Sequence, residues 1–178
     1  VELDEVKPYI EEYLGSLPSI NRKETFKDNK MNKRQGKFKN EFIKEQETPK
    51  ASVFVYYNGK CAYNLKNDIM MSMLSQVLNL LYTEKVREEE GGTYGVSVRG
   101  GLDKYPKEES WLQIMFDTDP ARKDALIKII YDELNGVASN GPSEVNLGKV
   151  KEYMIKKHSE DLKENGYWLG VINEYLDS

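Results

Sequence analysis

The chain has 178 residues and a mass of 20.6 kDa, with 39% hydrophobic and 31% charged residues. That suits one domain with a core of its own and excludes a disordered chain. The net charge of −4 and pI of about 5.3 argue against bulk nucleic-acid binding, and the apolar runs fall far short of the ~20 residues that span a bilayer.

The chain opens Val1-Glu2-Leu3, with no Met and no basic leader, and reads as an excised piece of a longer protein, truncated at both ends. Residues 4–15 predict a helix. Asp4 can cap it, Val6, Ile10, Tyr13 and Leu14 share one face, and Gly15 stops it. Residues 19–50 are a polar connection within the single domain, with ten Lys or Arg against five acids. They read as a solvated linker or an edge hairpin whose lysines block pairing. Phe38 and Phe42 allow one exposed strand there, and a polyanion-binding patch over 22–44 stays open. Residues 51–57 are rich in β-branched and aromatic side chains and predict a strand closed by Asn58-Gly59; its two-sided apolarity predicts a central position.

The strongest periodicity runs from Leu65 to Glu88, where Leu65, Ile69, Met73, Leu74, Val77, Leu78 and Leu81 recur at three and four. The methionines at 70, 71 and 73 read as core filler. Tyr94, Val96 and Val98 then alternate as a strand, and a second strand over 111–117 faces Leu112, Ile114 and Phe116 to one side. Asp119-Pro120 predicts a helix start, with Leu126, Ile129, Ile130, Leu134 and Val137 inward, stopped at Asn140-Gly141-Pro142. Ser143 can cap the next helix, with Leu147, Val150 and Met154 inward. A last segment over 167–176 aligns Trp168, Ile172, Tyr175 and Leu176. Hairpin strands and runs of helices make an α+β fold, a mainly antiparallel sheet with helices on one face.

Chemistry concentrates at Arg87-Glu88-Glu89-Glu90-Gly91-Gly92-Thr93-Tyr94. Three like charges at a helix C-terminus oppose the macrodipole, and the two glycines that follow permit positive φ and close backbone approach. Arg87 offers a fixed fork of donors and Tyr94 a neutral hydroxyl, a pair suited to a carbonyl or oxyanion better than to a metal. The same pattern is also that of a helix stop and tight turn, with Arg87 in a salt bridge and Tyr94 in the core. Asp117 and Asp119 fit a strand end and helix cap before they fit a hard cation. His158 lies in a polar stretch and reads as a surface residue; a Ser-His-Asp triad would have to use it, and no G-x-S-x-G elbow accompanies it. With one histidine and one cysteine, His158 and Cys61, the chain can build neither a His-based zinc centre nor a disulfide framework. Cys61 reads as a small buried hydrophobe.

The long apolar helix running into V-R-E-E-E-G-G-T-Y-G-V, then F-D-T-D-P, N-G-P-S-E and K-E-N-G-Y-W-L, resembles the pitrilysin/insulinase family of zinc metallopeptidases. It is similar to the C-terminal-type domain of long-chain bacterial members, and the opening V-E-L-D-E-V-K-P-Y-I-E-E-Y-L-G-S-L-P fits the same place in that domain. The resemblance spans nearly the whole chain, loosely over 20–48. It implies a clamshell of repeated α+β units whose zinc-binding half carries His-x-x-Glu-His, a motif absent here, so this chain is expected to be the non-catalytic half. Arg87 and Tyr94, seven positions apart, match the family pair that reaches the substrate beside the zinc, with Gly91 and Gly92 as the supporting turn.

By that resemblance, zinc and the general base belong to the N-terminal half of the same protein. The partners are that half and a peptide substrate, with no nucleic acid and no membrane span. No metal and no catalytic residue are expected in this chain, and the chain alone is expected to be inactive. The implied compartment is the periplasm. Two other readings stay open: an inert scaffold or subunit-interaction domain of the same fold, and a polyanion-binding module using 22–44.

Overall fold

The computed structural model describes residues 2–21, 23, 25–86 and 95–176, and the backbone alone of 87–90. Contacts divide the chain into two units, Val1–Asn32 and Lys33–Ser178. The first holds one helix, α1 (Leu3–Tyr13), with Pro8 inside it and no buried residue. Glu2, not the expected Asp4, stands at its start, and the Glu5 carboxylate accepts the Glu2 N–H at 3.4 Å. The acids at 2 and 5 sit at the reciprocal capping spacing, and Asp4 falls within the first turn, where its charge favours the helix dipole.

The second unit holds a three-stranded antiparallel sheet and four helices among the described residues. These are β1 (Ala51–Lys60), α2 (Leu65–Glu90), β2 (Val96–Asp103), β3 (Glu109–Thr118), α3 (Lys123–Asn140), α4 (Glu144–Asp161) and α5 (Asn165–Leu176). The order in the sheet is β1-β3-β2. Val53 and Val96 both face Phe116, and Val55 and Val98 both face Ile114. The expected α+β architecture stands, with one correction: β3 is central and β1 is an outer strand. Phe54 and Tyr56 gave β1 its two-sided apolarity, and they face away from the core and are exposed.

The core lies between the sheet and the helices. It joins Leu78, Tyr82 and Val86 of α2 to Val96 and Val98 of β2, Leu112, Ile114 and Phe116 of β3, and Leu126 and Ile130 of α3. Val150 of α4 is buried as well. The apolar stripe predicted for α2 is therefore displaced toward its C-terminal half. Leu65 and Ile69 are exposed, whereas Tyr82 and Val86, which the periodicity missed, are sealed. Burial along α2 begins at Ser75, and Leu65 and Ile69 in its first turns stay outside the core. Gly100 lets the helix approach, since a Cβ there would stand 2.7 Å from Ser75 Oγ and 2.8 Å from Met71 Sδ.

The helix signals fared as follows. Ser143 accepts the Asn146 N–H at 3.2 Å and caps α4, and Gly141 closes α3 at φ 77°. Asp119 does not cap α3. Its Oδ1 accepts the Ala121 N–H at 2.8 Å, in a turn before the helix, which starts at Lys123. No strand forms over 25–49, where Phe38 and Phe42 are 59% and 85% exposed and gain no burial from pairing. α5 has no buried residue. The Trp168 indole N–H donates to the Leu162 carbonyl at 2.9 Å, and Tyr167 meets the His158 ring edge-on at 5.7 Å.

Candidate functional site

The site predicted from sequence lies where α2 ends and β2 begins. α2 reaches this end of the sheet under firm constraint. The Tyr82 ring is fully buried, and its hydroxyl donates to the Ile130 carbonyl at 3.1 Å, which ties α2 to α3. Burial pushes that phenol well above its ordinary range, so it stays a neutral donor. Thr83 Oγ1 donates back to the Asn79 carbonyl at 2.7 Å. On the outside of the helix, Lys85 faces Glu133 and Lys149 faces Glu84.

β2 starts at Val96, opposite Phe116, so it enters the sheet at the end where β3 finishes and β1 starts. That end carries a polar group. The Asp117 carboxylate accepts from Ser52 Oγ at 2.5 Å and from Lys50 Nζ at 2.9 Å, and both partners hold it below the usual carboxylate range. Asp117 is thus an ion-pair partner and Asp119 a turn cap. Among the described residues no three His, Cys, Asp or Glu side chains gather as a metal site. His158 is exposed against Tyr167, so the described donors do not fit a catalytic zinc. Cys61 is half-buried, which corrects its reading as a core residue: it follows the end of an outer strand.

Of the predicted site residues, Arg87 falls on the last turn of α2 by its backbone, and its side chain lies outside the described residues. Gly91, Gly92 and Tyr94 lie outside them entirely. The sequence reading missed the polar tie that links the two flanks of this break. Asn79 Nδ2 donates to the Val98 carbonyl at 2.9 Å, and the Val98 N–H donates to Asn79 Oδ1 at 2.8 Å. Its only signal was an Asn amid Leu and Val on an apolar helix.

An open cleft lined by Tyr63, Leu102, Lys104, Tyr105 and Glu174 lies at the opposite end of the sheet. β2 separates the two places by about 23 Å, at the rise of a strand. In the cleft the Tyr63 hydroxyl donates to Glu174 at 3.0 Å, which raises that phenol. Lys104 Nζ stands 5.2 Å from the Tyr105 ring centre. Part of the connection is ion-paired to the folded unit. Lys33 lies 2.5 Å from Asp103 and 3.3 Å from Glu109, and Glu41 pairs with both Lys39 and Lys123.

Residues 1–154 match the sequence profile described as the Peptidase M16 inactive domain. The chain belongs to the M16 peptidase family. As an M16 chain it is of the inactive, C-terminal type, as the family resemblance without the His-x-x-Glu-His motif implied. It is similar to the chloroplastic stromal processing peptidase of Pisum sativum, 29% identical over 104 residues, which cover 58% of this chain and 8% of that protein. The counterpart from Oryza sativa subsp. indica is 28% identical over 117 residues, 65% of this chain and 9% of its own. The chain thus spans under a tenth of the length of these curated relatives. The fold is shared with the periplasmic protease PqqL from Escherichia coli, at a TM-score of 0.66 and 20% identity, over 99% of this chain and 19% of that one. No helix among the described residues is long and apolar enough to cross a membrane.

Proposed function

We propose that this M16 domain serves a zinc-dependent endopeptidase by binding the peptide substrate, with Arg87 and Tyr94 as the binding pair. The zinc and the general base come from the N-terminal half of the parent protein. The observation that carries this reading is the inactive-domain match over 1–154, which includes the whole Arg87-to-Tyr94 segment. The described flanks support it: α2 ends at Glu90, three residues after Arg87, and β2 starts at Val96, two residues after Tyr94.

A guanidinium stays charged at all working pH values and donates in a fixed plane, and a neutral phenol donates one short bond. Aimed at a scissile carbonyl, such donors favour the tetrahedral oxyanion over the planar ground state, because charge collects on the oxygen only in the transition state. The proposed compartment is the periplasm, supported by the description of PqqL; the plant relatives are described as chloroplastic.

The test is Tyr94→Phe in the full-length parent. Loss of one such donor lowers kcat by about 10²-fold, with zinc content unchanged. Unchanged turnover removes the assignment and favours an inert scaffold of the same fold.

A further inference from the structure

We draw no further inference here: the strongest candidate, the open cleft lined by Tyr63, Leu102, Lys104, Tyr105 and Glu174 beside the β2–β3 turn, selects no class of ligand, because Lys104 and Glu174 set opposite charges on its walls and nothing in the structure shows what covers it.

Discussion

The two outer strands flank the same central strand in the same register, yet they are held in different ways. β2 buries Val96 and Val98 against α2, and its open edge is met by Asn79. β1 keeps Val53 and Val55 only half-buried, turns Phe54 and Tyr56 outward, and is tied at its ends by charged and polar side chains such as Lys50, Ser52 and Asp117. The difference follows from connectivity. α2 runs directly into β2, so its C-terminal turns lie along that strand, and β1 receives what packing is left.

The sharpest way to break this comparison is a matched pair of truncations. Val98→Ala is expected to cost about 2 kcal/mol and Val55→Ala about half that, in urea unfolding of the 178-residue chain. Equal losses would mean that the two strands share the core alike. A middle-sized effect comes from Tyr82→Phe, which removes the hydroxyl that reaches Ile130 and should cost about 1 kcal/mol at neutral pH. The same phenol titrates higher folded than unfolded, so its contribution is complete below about pH 10 and is lost as pH rises toward the folded value. Alkaline unfolding should therefore be shallower in Tyr82→Phe than in the parent chain.

The smallest effect belongs to the β1 side. Asp117 titrates lower folded than unfolded, so what it adds is present at neutral pH and is lost as pH falls through the lowered folded value. Because the pair with Lys50 is well exposed, Asp117→Asn should cost only about 0.5 kcal/mol at pH 7 and nothing in strong acid. A cost that persists in acid would show that the side chain acts by packing and not by charge.

How much of this was legible depends on the range of the interaction. Alternation in β2 and β3, the Gly141 stop and the Ser143 cap depend on neighbours a few residues away, and the sequence displays them directly. The outward turn of Phe54 and Tyr56 was not legible, because an apolar residue looks the same whether a second layer covers it or not. The α2 stripe was half legible: its period set the face, and which turns were sealed showed only in the tertiary structure. Asn79 was hidden altogether. Its partner lies 19 residues away, and an Asn among leucines reads as a helix defect until the strand edge beside it is seen.

The sequence by itself determined the family, the α+β class and, apart from the strand expected around Phe38 and Phe42, the order of elements. These follow from residue types and local spacing, which folding does not alter. Only the tertiary structure decided which strand is central, which half of α2 is buried, and that a carboxamide locks helix to strand ahead of the glycines. Each of these depends on groups far apart in the chain meeting at hydrogen-bond or van der Waals distance, and no local pattern encodes such a meeting.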